Sequence, residues 1–123
     1  MGVFKRVEPW KTVEADDTSS IWEMFMDPDQ WPDASEFRIG VLEVEVSAIS
    51  GATLSVQGCD QYGGEFITHA SYTQATTTPS QTFLKKIAPY GASERLTNFL
   101  RWRIEGVQGT NWGLTFRINL NLK

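Results

Sequence analysis

Leu114, Phe116, Ile118, Leu120 and Leu122 alternate without a break with Thr115, Arg117, Asn119, Asn121 and Lys123. Successive side chains of an extended strand point to opposite faces, so this pattern describes a strand with one face in a core and the other in water. No other feature restricts the fold as tightly. A strand of that kind needs paired neighbours and an apolar layer laid against its buried face. Two further segments repeat the pattern. Leu100, Trp102 and Ile104 alternate with Arg101, Arg103 and Glu105, and Leu42, Val44, Val46 and Ala48 alternate with Glu43, Glu45 and Ser47.

Leu54 and Val56 open another strand after Ser50-Gly51-Ala52, a turn that reads as a short hairpin. Phe66, Thr68, Ala70 and Tyr72 share one face of a weaker segment, with Ile67, His69 and Ser71 on the other; Phe83, Leu84 and Ile87 mark one more, and Ser20 to Phe25 is an early candidate. Strands are thus expected at about 41–49, 53–58, 65–73, 82–87, 99–105 and 113–122, with ends uncertain by roughly two to four residues. Turn residues fall between them at Asp60 to Gly64, Pro79-Ser80, Pro89 to Gly91 and Gly106 to Gly113, and Thr73 to Ser80 reads as a polar loop. No long helix is expected; Ser93 to Phe99 allows one or two turns with Ser93 as N-cap. The resulting class is all-β: an antiparallel two-sheet β-sandwich of jelly-roll type. Its core is expected to hold Leu42, Val44, Val46, Leu54, Val56, Leu100, Trp102, Ile104, Phe116, Ile118 and Leu120.

With 123 residues the chain makes one domain, and at that size folding needs neither disulfide nor metal. Cys59 is the only cysteine and cannot form an internal disulfide. The net charge of −4, with no basic stripe, argues against nucleic acid or an anionic membrane as the main partner. Met1 to Trp10 lacks the apolar run of a signal peptide, and no apolar run is long enough to span a bilayer.

Catalytic chemistry is hard to find. His69 is the only histidine, so any Ser-His-Asp or Cys-His arrangement has to use it; in a strand context it is expected to face solvent or an interface. One Cys and one His leave a zinc set incomplete. Asp27, Asp29 and Asp33 suggest a calcium loop, but Pro32 and Arg38 stand where its Gly and Glu are required, so a solvated acidic turn between Pro28 and Pro32 is expected. Gly63-Gly64 is not part of a phosphate-binding loop, and Glu43 and Glu45 share a strand face as solvated or interface residues. No catalytic, metal or cofactor site is expected.

What stands out instead are aromatic and arginine residues, the types that dominate interfaces. Phe4, Trp10, Trp31 and Trp112 lie outside the clear alternation, and Arg101, Arg103 and Arg117 sit on the solvent side of the strands. Residues 1–12 combine Phe4, Val7 and Trp10 with Lys5, Arg6 and Lys11 and show no clean period. They are expected to form an extended N-terminal arm that docks on a neighbouring protein, ahead of a sandwich domain over residues 13–123. The interface candidates are therefore Phe4, Val7, Trp10, Trp31, Arg101, Arg103, Trp112 and Arg117.

The order of pieces also carries a resemblance. Asp17 to Phe25 leads to Trp31, followed by the strand Leu42 to Ile49 ending in Ser50-Gly51, then Leu54-Ser55-Val56-Gln57-Gly58-Cys59-Asp60. Phe99-Leu100-Arg101-Trp102-Arg103-Ile104-Glu105 and the strand Thr115 to Lys123 complete it. Over residues 17–123 this resembles the small β-sandwich accessory structural proteins of tailed bacteriophages, including capsid decoration (cement) proteins, although Cys59 stands where a Ser is commoner. The resemblance implies a non-enzymatic virion protein on the capsid surface, assembled in the host cytoplasm. It implies as partners the major capsid protein or another virion protein, and further copies of the chain, with a trimer as the expected closed form. The alternatives are a phage neck or tail structural protein, or a carbohydrate-binding jelly-roll module stacking sugars on Trp31, Tyr62 and Trp112.

Overall fold

The computed structural model describes residues 3–15, 22–61, 64–73, 81–87, 96–106 and 112–123. Its strands are β1 (Val3–Ala15), β2 (Trp22–Phe25), β3 (Gly40–Ser50), β4 (Ala52–Cys59), β5 (Ile67–Thr73), β6 (Gln81–Ile87), β7 (Phe99–Gly106) and β8 (Trp112–Leu122). A 3₁₀ turn, Pro28–Gln30, follows β2, with the Asp27 carboxylate accepting from the Asp29 amide at its start. The strands form two four-stranded sheets, ordered β1-β8-β3-β6 (sheet A) and β2-β7-β4-β5 (sheet B). Every described pairing is antiparallel. The chain is a two-sheet jelly-roll sandwich, as the alternation predicts.

The strongest alternations sit at the centres of the sheets. β8 lies between β1 and β3, and β7 between β2 and β4. All the residues expected in the core are buried, together with Leu114, Leu122, Ile49, Ile87, Met26 and Trp112. Trp102 of sheet B meets Phe116 of sheet A edge-on, with ring centroids 5.7 Å apart. Tyr72 and Phe83 bring the edge strands β5 and β6 together across the sandwich at 5.4 Å. Edge-to-face contact suits the ring quadrupoles and adds to the apolar burial.

Several expectations are corrected. Ser50-Gly51-Ala52 is not a hairpin within one sheet, because β3 belongs to sheet A and β4 to sheet B. Gly51, with φ of 64°, makes the corner. Turning the chain from one layer to the other is what lets Val44 and Leu54 face the same core. Ala48 was expected on the buried face of β3, but a register shift between Val46 and Ala48 leaves it exposed and turns Ile49 inward. His69 is buried rather than solvent-facing. The shift between Val56 and Gln57 makes it the extra residue of a bulge in β5. Its Nε2 lies 3.2 Å from the Thr97 hydroxyl.

The N-terminal segment is extended, but its partner is its own sheet. β1 crosses residue 12 without interruption and pairs with β8 from Val3↔Leu122 to Ala15↔Trp112. Two register shifts, between Arg6 and Glu8 and between Glu8 and Lys11, break its alternation. They are the physical reason that no clean period is visible in the sequence. The short helix expected over 93–99 lies partly outside the described residues; the described part leads directly into β7.

Candidate functional site

The structure sorts the interface candidates into three places. Val7 and Trp112 belong to the core, not to an interface. Trp112 is only 3% exposed. Its indole occupies the space that a side chain on Gly106 would need, at 2.4 Å from an ideal Cβ there. Phe4, Trp10 and Arg117 gather on the outer face of sheet A, and Trp31, Arg101 and Arg103 on the outer face of sheet B.

The sheet A face follows from the strand register. One row runs Phe4, Asn121, Val41, Lys86; the next runs Arg6, Asn119, Glu43, Leu84. The third holds Arg117, Glu45 and Thr82, with Trp10, from the bulged stretch of β1, laid against Arg117 at 5.2 Å from guanidinium carbon to ring centroid. Arg117 Nη2 is 2.6 Å from Glu45 Oε2. Phe4 is 53% exposed, Trp10 48% and Leu84 67%. Large apolar side chains held this open on one sheet face are what a docking surface presents. Asn119, in the middle of the face, is buried, and its Oδ1 has no hydrogen-bond partner among the described residues. A groove of about 560 Å³ opens at the Phe4 end, bounded by Val3, Phe4, Ile39, Val41, Lys86 and Asn121. Leu84 is not among the interface candidates of the sequence, whereas Glu45 is read there only as part of a solvated or interface face. The absence of a clean alternation around Thr82 to Ile87 hid which side of β6 faces out.

The sheet B face is organised by arginine. The Arg101 guanidinium lies 3.4 Å from the Phe66 ring centroid, 4.4 Å from that of Phe25 and 5.8 Å from that of Trp31. Its Nε donates to Gln57 Oε1 at 3.1 Å. Burial pulls Arg101 below its ordinary pKa, although it stays a cation. Trp31 meets Phe66 edge-on at 5.6 Å and donates its indole N–H to the Met26 carbonyl. Arg103 bridges Glu23 and Glu105 at 2.5 and 2.6 Å. Burial opposes its charge, but the hydrogen bonds to Glu23 and Glu105 outweigh that and raise its pKa. The aromatic rings here are thus engaged by a cation from the chain itself.

His69 and Cys59 are both buried. Burial raises the Cys59 thiol above its usual pKa, which suppresses the nucleophilic thiolate. Asp33 is lowered by hydrogen bonds from Ser35, as in a solvated acidic turn. Among the described residues, no group of three or more His, Cys, Asp or Glu is placed to hold a metal ion. Among them also, no helix is long and apolar enough to cross a membrane. The sugar-stacking role considered for Trp112 is closed by its burial, that of Trp31 is restricted by Phe66 and the bond to Met26, and Tyr62 lies outside the described residues.

No protein-family model matches the chain, and no curated protein matches it. Among solved structures it is similar to a protein of the disulfide-linked pili of Bacillus endospore appendages, at 7% identity over 100% of this chain and 90% of that one, with a TM-score of 0.43. It is also similar to the family 11 carbohydrate-binding module from Clostridium thermocellum, solved with a β-1,3-1,4-mixed-linked tetrasaccharide, at 11% identity over 99% of this chain and 86% of that one, with a TM-score of 0.41. At these identities the likeness is one of β-rich architecture alone.

Proposed function

We propose that this chain is a non-catalytic structural component of a protein assembly, and that it joins the assembly through the outer face of sheet A. The observation that carries this reading is the exposure of Phe4, Trp10 and Leu84 on one sheet face. Interface energy concentrates in aromatic anchors ringed by polar groups, and the Arg117–Glu45 pair supplies such groups beside Trp10. The burial of both His69 and Cys59 supports a binding rather than a chemical role.

The resemblance of residues 17–123 to phage accessory proteins gives the finer form of the proposal. The assembly is a virion, and the chain is a decoration protein that binds and stabilises the capsid shell, with the major capsid protein or another virion protein as its partner. It works alongside further copies of itself, and it reaches the particle from the host cytoplasm. The test is to raise antibodies against the chain and probe gradient-purified particles from its source. Signal on the heads of tailed particles, lost when Trp10→Ala and Leu84→Ser are combined, is the expected result. A chain absent from every particle fraction overturns the virion reading.

A further inference from the structure

We infer that the sheet A face pairs with the same face of a second copy of this chain, about a two-fold axis that runs along the strands between β8 and β3. The inference rests on the reading of this face as a docking surface and makes the pair the form of the chain off the particle, since one face cannot hold a second copy and the assembly at once. The argument is one of charge order across the sheet. Arg6 and Arg117 lie on β1 and β8, Glu43 and Glu45 on β3, and Leu84 and Lys86 on β6. A two-fold axis along the strands keeps each row in register and exchanges its two halves, so β8 lies over β3 of the other copy and β1 over its β6. The third row then closes into a ring of alternating charge: Arg117 and Glu45, already 2.6 Å apart in one chain, meet Glu45 and Arg117 of the other. In the second row Leu84 lies over the stem of Arg6. In the first row Lys86 comes over the exposed ring of Phe4, a favourable cation–π arrangement.

The other in-plane axis, across the strands, keeps each strand over itself, β3 on β3 and β8 on β8. That sets Glu43 and Glu45 against the same acids of the second copy and costs like-charge repulsion. A three-fold axis cannot place one face upon itself, because only a two-fold contact is isologous. Four strands spaced about 4.8 Å apart and some seven residues rising about 3.3 Å each offer a modest contact. It falls below the roughly 800 Å² per partner of a standard interface, so the pair is reversible rather than obligate.

Analytical ultracentrifugation of the full chain from micromolar to millimolar concentration tests this, with circular dichroism as the check on folding. The expected result is a monomer–dimer equilibrium that weakens with salt. Glu45→Lys and Arg117→Glu should each weaken it by about tenfold or more, and the two together should restore it to within about threefold, since a charge swap keeps an isologous ring complementary. Leu84→Arg gives a second, independent break at an exposed position. A monomer throughout, a trimer, or folded single-charge variants that dimerise unchanged would overturn the pairing. If the wild type is monomeric while Leu84→Arg still abolishes particle binding, the pairing fails and the docking reading of the face stands. If neither mass nor particle binding responds, both fail.

Discussion

The indole N–H of Trp102 donates a hydrogen bond to Glu8 Oε1 at 2.9 Å, joining strand β7 of one sheet to strand β1 of the other across 94 residues of sequence. Lys11 Nζ sits 5.8 Å from the same indole. The bulges of β1 fall on either side of Glu8, and they turn its carboxylate toward the interior. An otherwise apolar core thus satisfies one of its two tryptophans with a residue from an edge strand, and the edge strand is fastened in return.

Replacing Glu8 with Leu should cost about 1–3 kcal/mol, because a buried N–H loses its acceptor. Glu8→Gln keeps an acceptor oxygen and should cost under about 1 kcal/mol by the same reasoning. Urea unfolding of the two variants checks the difference. Equal losses would mean that the carboxylate contributes through charge and not through the bond to Trp102.

Deleting residues 1–11 should destabilise the domain, contrary to what a partner-docking arm would do. The deletion removes Val7 from the core and Glu8 from Trp102, and it bares most of the β8 edge that β1 covers. An exposed apolar edge invites strand-to-strand aggregation. Thermal melting and light scattering should report a lower midpoint and aggregates.

Gly58→Ala should be among the most damaging small substitutions. An added Cβ meets the Thr97 hydroxyl at 1.9 Å and His69 Nε2 at 2.5 Å. Both neighbours are buried, and moving them disturbs their mutual bond. Overpacking of this kind costs about 1–3 kcal/mol. The control is Gly113→Ala, where the nearest atom is an unhindered 3.5 Å away.

Truncating Trp102 or Phe116 to Ala should each cost roughly 3–5 kcal/mol, because the two rings meet edge-on at the centre of the sandwich. A double-mutant cycle by denaturant unfolding should show coupling between them, whereas a cycle of Trp102 with Leu84, on the outer face of sheet A, should be additive.

Stability should fall at alkaline pH. Burial raises the Cys59 and Tyr72 pKa values above their ordinary values of 9.0 and 10.0. Each group therefore holds its proton longer in the folded state than in the unfolded one. The corresponding stability is intact below the unfolded pKa and is lost as pH rises through the folded one. Cys59→Ala should flatten the part of the slope that begins near pH 9.0, leaving the Tyr72 part above it. Thiol reagents should modify Cys59 only on unfolding; fast labelling of the native protein would contradict its burial.

The alternation of Leu114 to Leu122, Leu100 to Ile104 and Leu42 to Val46 determined the fold class, the central strands and most of the core, since a period of two has one structural meaning when one side of a sheet is dry. It also put Arg101, Arg103 and Arg117 on the outside. The sequence could not say which aromatics were interior, because a large ring fits a core and an interface equally well, and tertiary packing sent Trp112 inward while leaving Trp10 and Phe4 out. Nor could it reveal the strand identity of residues 3–15, the inward turn of His69, or the meeting of Arg117 with Glu45 and Trp10. Bulges erase the periodicity that local reading depends on, and contacts between strands far apart in the chain are fixed only when the two sheets close over a common core.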